Sequence, residues 1–577
     1  MPTRDYSAPD KECDLIMQGG ITSGVVYPPA VLKLAPRFRF RNIGGTSAGA
    51  IAAAAAAAAE LGRSKGGFTE LEKVPQQLAQ VLSSLFQPAR PFRGVFSLFL
   101  ACLGHRPALL KALHALVLLL WHFWISIAVG LSPAAIYLAK TIGSPRDWRE
   151  WLAIAAAAAC GIALALLFRV LWLAFVELPR SDFGVCSGTQ PTGSKLPALT
   201  EWIADLLDRL AGTAGRPLTF GDLTAPGFDI DLKMMTTNLS LRRPYSLPFN
   251  TNGNPAHENR YVFNVDEWRK LFPDRIMEYL LRDAVSQRLQ GESVRGELRY
   301  LPETNDMPVV VAVRMSLSFP ILLAAVPLYR RDPLYELDSE RRKLRRCLFS
   351  DGGISSNFPI HFFDAPLPNR PTFAVSLDEY AAARYESEQP EDRVSMPADA
   401  NSGALLPIKS IDSLAGFIVG IVDSARLWQD NLQKLLSGYR ERVTHIALTE
   451  LEGGLNLNME APVIEGLTQL GAIAGDRMLA FDLDEHRWRR FLVTYARLEE
   501  TFERIHGAYD HGFGRFLEQY PPRAKAYTPE AAWIAEARDR LAAVLQATEK
   551  WGDDPLRERP EAKIPRPATD LRITPRP

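Results

Sequence analysis

The chain carries no excess of charge of either sign: 66 Lys and Arg balance 66 Asp and Glu over 577 residues. Bulk electrostatics therefore give no reason to expect a nucleic-acid partner, and none is expected. Cysteine is scarce. Cys13, Cys102, Cys160, Cys186 and Cys347 are odd in number, widely scattered, and form no C-x-x-C pair. That spacing indicates neither a disulfide framework nor a zinc centre, and reduced thiols fit a cytoplasmic setting. The opening residues MPTRDYSAPDKECDL lack the apolar stretch of a secretory signal, so the expectation is a catalytic part facing the cytoplasm. No internal repeat is visible. No G-K-[ST] follows the first glycine-rich turn, which argues against a nucleotide-binding P-loop.

What is present is unevenly distributed. Cys13–Met17 reads as a buried strand running into Gly19-Gly20, and Val25–Leu34 as a short helix interrupted early by Pro28-Pro29. Phe38–Ile43 reads as a second strand, ending at Gly44-Gly45 ahead of the alanine run Ala52–Ala59, a strongly helix-prone sequence. Strand, turn, helix, strand, turn, helix is the order of a layered α/β domain with a mostly parallel sheet. Further strands are expected at Phe228–Leu241, Leu348–Phe349 and Thr372–Leu377, and a strand or helix entry at Pro308–Val313. Helical spacing covers Ile408–Tyr439, Asp476–Gln519 and Pro529–Lys550. The expected division is 1–105 for the first part of the core, 106–180 for an apolar hairpin, 181–385 for the second part of the core, and 386–550 for a helical C-terminal region. A tail over 551–577, with six prolines, is expected to be disordered.

Three motifs carry chemistry. Gly45-Thr46-Ser47-Ala48-Gly49 is a G-x-S-x-G set between a strand and a helix. A serine on such a turn has strained backbone angles and needs small neighbours, and the helix N-terminus favours developing negative charge beside it. Gly19-Gly20-Ile21-Thr22-Ser23-Gly24 is a glycine-rich turn able to aim backbone amides at an oxyanion. The third motif, Asp351-Gly352-Gly353, ends a strand and is followed by Ser355-Ser356-Asn357-Phe358-Pro359-Ile360; taken alone it reads as an Asx turn.

Taken in order, these motifs resemble the patatin-like phospholipase family, which pairs a glycine-rich oxyanion segment, a G-x-S-x-G serine and a D-G-[GA] aspartate. Val313-Arg314-Met315-Ser316-Leu317-Ser318-Phe319-Pro320 is similar to the family's segment ahead of the aspartate strand. The resemblance covers roughly residues 13–60 and 228–380. It implies a three-layer α/β/α core and a serine lipid acyl hydrolase acting through a Ser47–Asp351 dyad, with oxyanion donors from Gly19–Gly24. Nucleophile, base and donors all come from the protein, so neither an organic cofactor nor a metal is implied. The chain departs from the family pattern G-G-G-x-[RK]-G, with Ile21 for the third glycine and Ser23 for the basic residue. Alternatives are acyl transfer to another acceptor, a silent membrane scaffold, or a triad using His361 or His257 as base.

Ala112–Ala139 holds no Asp, Glu, Lys or Arg across 28 residues, and Trp151–Phe168 none across 18. At about 1.5 Å per residue either can cross a hydrocarbon layer roughly 30 Å thick. The expectation is a transmembrane hairpin close to its lipid substrate, with a shallower insertion as the alternative. Ala155–Ala159 is expected to allow close helix packing. Arg90, Arg93, Arg106, Lys111, Arg169 and Arg180 on the domain side outnumber Lys140, Arg146 and Arg149 in the turn, which places the core in the cytoplasm. Asp482, Asp484, Glu485 and His486 read as a solvated helix face rather than a metal site.

Overall fold

The computed structural model describes residues 5–559 apart from 21, 103–107, 143–146, 192, 214, 250–259, 291, 293, 333, 335–342, 382–386, 398–407, 437, 455, 458 and 520–529, together with residue 563. Ile21, His257, the turn of the apolar hairpin and most of the expected tail lie outside the described residues.

The principal strands are β1 (Lys11–Met17), β2 (Phe38–Gly45), β3 (Asp231–Asn238), β4 (Arg243–Leu247), β5 (Val326–Arg331), β6 (Leu344–Asp351), β7 (Thr372–Glu379) and β8 (Val443–Leu448). The principal helices are α1 (Tyr27–Leu34), α2 (Ala48–Leu61), α3 (Ala108–Lys140), α4 (Trp148–Trp172), α5 (Leu199–Ala211), α6 (Val309–Ser316), α7 (Leu414–Leu435), α8 (Ala461–Leu479) and α9 (Leu483–Ala508). Pro28 and Pro29 fall in the first turn of α1. There the missing N–H has no intrahelical partner to lose, so they open the helix rather than interrupt it.

One twelve-stranded sheet organises the core, and its centre reads β8-β7-β1-β2-β3-β6-β5. The five strands from β8 to β3 are parallel to one another. Beyond β3 every pairing is antiparallel: β3 with β4 and β6, β6 with β5, and β5 with the strand Val262–Asn264. The sheet is therefore mixed rather than mostly parallel. Strands such as β3–β4 and β5–β6 follow each other directly in sequence, and short connections force antiparallel pairing.

The alanine run of α2 is buried on nearly every side, between β2 and α5. Small side chains let it sit close to both. β8 lies within the 386–550 region expected to be helical, between two of its helical spans, yet it joins β7 in parallel and is buried at all six positions. α8 packs on α1 and on the turn that leads into it, so closely that a Cβ added at Gly471 would fall 2.1 Å from the Val26 carbonyl oxygen. The region after residue 386 thus contributes to the main sheet and to one of its covering layers.

α3 and α4 form an antiparallel apolar pair. Two helices, Leu109–Lys140 and Trp148–Arg180, are long and apolar enough to cross a membrane and are almost wholly exposed. They approach closely at Gly130 and Gly161, where a Cβ on Gly161 would lie 2.2 Å from the Gly130 carbonyl oxygen. Gly130 and Gly161 thus make a close backbone contact between the two helices. Pro133 lies inside α3, whose backbone kinks at Phe123.

Candidate active site

β2 ends at Gly45, and after only Thr46 and Ser47 α2 begins at Ala48. Ser47 takes φ 56° and ψ −128°, a conformation that costs a non-glycine residue about 1–3 kcal/mol and survives only where its surroundings enforce it. The surroundings are backbone. A Cβ on Gly45 would meet the Gly49 carbonyl oxygen at 2.2 Å, and a Cβ on Gly49 would meet the carbonyl oxygens of Met17 at 2.3 Å and Gln18 at 2.6 Å. The turn is pressed onto the end of β1, and only glycine fits either position. Thr46 is fully buried at its apex. The Ser47 amide donates to Ser316 Oγ at 3.2 Å, which ties the turn to the end of α6.

Asp351 arrives from the other direction. In the sheet register Gly45 lies opposite Met234 and Asp351 opposite Thr236, two residues further along β3. β6 runs antiparallel to β3, so its last residue reaches the level at which β2 has just given way to Ser47. The Asp351 amide donates to the Ser318 carbonyl oxygen at 3.0 Å, and Oδ1 accepts the Gly353 amide at 2.7 Å. Oδ2 is buried and has no hydrogen-bond partner among the described residues. Burial pushes the carboxyl up to about 6, opposed by the adjacent Ser47 side chain, the Gly353 amide and the positive charge of Arg426. Gly352 and Gly353 follow because a Cβ would strike the Met235 carbonyl oxygen at 2.2 Å or the Asn357 side chain at 2.7 Å.

The glycine-rich segment lies against this pair. A Cβ on Gly19 would sit 3.0 Å from Ser47 Cβ, and one on Gly24 would sit 3.4 Å from Ala48 Cβ. Asn357 grips Gly19 from both sides: its carbonyl accepts the Gly19 amide at 3.0 Å, and its Nδ2 donates to the Gly19 carbonyl at 3.1 Å. The Gly19 amide, expected among the oxyanion donors, is therefore already engaged. Gly20 lies next, packed over Ser23 and Leu377. Thr22 and Ser23 are buried, and Thr22 Oγ1 donates to the Gly454 carbonyl at 3.3 Å. Ser23 and Gly24 open a short 3₁₀ turn, whose first amides are the ones without partners inside the turn.

Sequence patterning missed the braces. Arg314, fully buried, donates to Ser318 Oγ at 2.7 Å and to the carbonyls of Ser187 and Ala324 at 2.9 and 2.8 Å, fixing the loop that holds Asp351. Ser316, Ser318 and Asn357 fall in the two runs flanking the aspartate strand, but their partners are distant in sequence. Asp430 of α7 accepts from Ser356 Oγ at 3.1 Å and from the Asn357 amide at 2.7 Å, and nothing local marked it. His361 meets Gln433 Nε2 at 3.4 Å, and burial lowers its pKa. His361 is not among the groups acting on Asp351. Asp482 caps α9, accepting the amides of Asp484 and Glu485.

A family model described as patatin-like phospholipase matches residues 153–364, a span that holds Asp351 and the Arg314 brace but not Ser47. Along nearly its whole length the chain is similar to the "RpoH suppressor" of Rhizobium meliloti (strain 1021), with 35% identity over 98% of this chain and 99% of that protein. The chain belongs to the patatin-like phospholipase family. Membership implies a lipid acyl hydrolase. Two solved structures are also similar: VipD from Legionella pneumophila, with 12% identity over 93% of this chain and 85% of that one and a TM-score of 0.31, and the ExoU–SpcU complex of Pseudomonas aeruginosa, with 16% identity over 95% and 78% and a TM-score of 0.20.

Proposed function

We propose that the protein is a membrane-attached serine hydrolase that cleaves acyl esters of membrane lipids through a Ser47–Asp351 dyad. The observation that carries this reading is a buried carboxylate, raised to about 6, set against a serine held in a strained strand-to-helix turn. An ordinary carboxylate, with a pKa near about 4, is a weak base for a serine hydroxyl. Burial narrows that gap and strengthens any hydrogen bond between the two groups.

In the reaction, Ser47 Oγ attacks the ester carbonyl carbon while its proton passes to Oδ2 of Asp351, the carboxylate oxygen without a partner among the described residues. Negative charge gathers on the former carbonyl oxygen beside Gly20–Gly24 and the N-terminus of α2, where amides not used in intrahelical bonds point. The proton then leaves with the alcohol, and the acyl group stays on Ser47. Water, deprotonated by Asp351, then attacks the acyl carbon; the bond to Ser47 Oγ breaks, Asp351 returns the proton to Oγ, and the fatty acid leaves.

The exposed apolar pair α3–α4 supports membrane attachment, with the core on the cytoplasmic side. Ser47→Ala and Asp351→Asn are each expected to abolish release of fatty acid from mixed phospholipid vesicles, and Ser47→Ala to abolish labelling by a fluorophosphonate. Undiminished hydrolysis in either variant removes the dyad.

A further inference from the structure

One buried ionic group near the site has no part in the dyad chemistry. Lys434, near the C-terminal end of α7, is 7% exposed. Its Nζ lies 3.1 Å from Asp378 Oδ1 and 3.5 Å from Gln18 Oε1, and stands over the Phe358 ring at 5.4 Å from its centre. Asp378 Oδ2 meets His445 Nδ1 at 2.5 Å. Burial works to raise the Asp378 carboxyl, but the Lys434 charge, with the His445 hydrogen bond and charge, overcomes it and holds the group far below the usual carboxylate range. The charged state is therefore maintained out of water. Burying such a pair rarely stabilises a fold more than well-packed apolar residues would, so its position calls for another account.

That position is the junction between the two halves of the site. Gln18 is the last residue of the strand-end network before Gly19. Its side-chain oxygen accepts from Ser376 Oγ and from the Leu377 amide, both at 2.9 Å, and its carbonyl accepts the Tyr27 hydroxyl at 2.5 Å. Phe358 directly follows Asn357, which grips Gly19. Asp430 stands four residues before Lys434, on the same face of α7, and holds Ser356 and Asn357. A single helix face thus fastens the loop that follows Asp351 and the residue that precedes the oxyanion segment. That segment carries Ser23 where the family pattern has a basic residue.

Building on the proposed dyad, we infer that Lys434 is a positioning residue for acyl transfer, the buried cation by which α7 locks Gln18, beside the Asn357 that its Asp430 holds, and so sets Gly19–Gly24 against Ser47. It touches no reacting atom. Its effect is on the geometry of the oxyanion donors, where displacement by about 1 Å costs a factor on the order of 100 in rate.

The test uses the full chain in detergent with a soluble p-nitrophenyl ester, and a fluorophosphonate to report nucleophile reactivity. Lys434→Met is expected to lower kcat by about 10- to 100-fold, to leave KM within about twofold, and to slow fluorophosphonate labelling in parallel. Lys434→Arg is expected to recover most of kcat. The double variant Lys434→Met/Asp378→Asn removes both buried charges and separates folding from positioning: it is expected to retain the wild-type thermal transition while kcat stays low. Wild-type kcat in Lys434→Met, or recovery of kcat in the double variant, overturns the inference and leaves Lys434 as a mere counter-charge. If Lys434→Met does not fold, the double variant decides. Labelling that survives Ser47→Ala defeats the dyad itself, a separate result from labelling that needs Ser47 but ignores Lys434.

Discussion

Ser47 and Asp351 reach the same level of the sheet from opposite directions. β2 climbs to Gly45 opposite Met234 and turns into Ser47, while β6 descends antiparallel to end at Asp351 opposite Thr236. The antiparallel flank is what brings the end of β6, about three hundred residues further along the chain, to the level of Ser47. It also buries the acid, since β6 is covered on both sides by β3 and β5.

The raised Asp351 carboxyl predicts the acid limb of the pH profile. The base must be ionised, so kcat/KM on a soluble ester should fall as pH drops through about 6, rather than near the usual carboxylate value. Arg426→Gln removes a charge that lowers this carboxyl, and the limb should move to higher pH. A limb unchanged in Arg426→Gln would show that the arginine does not act on the base.

The same shift predicts a trade between activity and stability. A carboxyl raised in the folded state binds more protons folded than unfolded, so its contribution is fully present below about 4 and is lost as pH rises through about 6. At pH 8 the buried charge is a burden, on the order of 2–3 kcal/mol for a shift of this size. Asp351→Asn should therefore be inactive yet more resistant to urea at pH 8, and the gain should vanish near pH 4. Equal midpoints for wild type and variant at pH 8 would contradict the burial argument.

Gly49→Ala tests the turn. Its Cβ would overlap two backbone carbonyl oxygens at 2.3 and 2.6 Å, and backbone cannot step aside as a flexible side chain can. The expected cost is about 3 kcal/mol or more, with loss of fluorophosphonate labelling even in the protein that remains folded. Thermal melts with parallel labelling check both halves.

The hairpin gives a prediction independent of the chemistry. Carbonate-washed membranes should retain the wild-type chain, whereas release into the soluble fraction would rule out spanning helices. Gly130→Ile should separate α3 from α4, since a Cβ there would lie 2.5 Å from the Ile162 backbone. Cysteine crosslinking between the two helices should then fail.

Much of the local chemistry could be read without coordinates, because it is dictated by short-range backbone needs. Gly45, Ser47 and Gly49 satisfy a strained turn, Gly352 a close backbone approach, and uncharged runs of 28 and 18 residues a lipid-length helix. Tertiary structure decided whatever depends on which strands become neighbours. The antiparallel approach of β6, the entry of β8 into the sheet, the engagement of the Gly19 amide by Asn357, and the fastening of both loops by Asp430 and Lys434 all join residues far apart in the chain. Local propensity carries no record of such pairings, since each partner's conformation would be equally acceptable with the other absent. They are fixed only when sheet register and burial select one arrangement of the whole core.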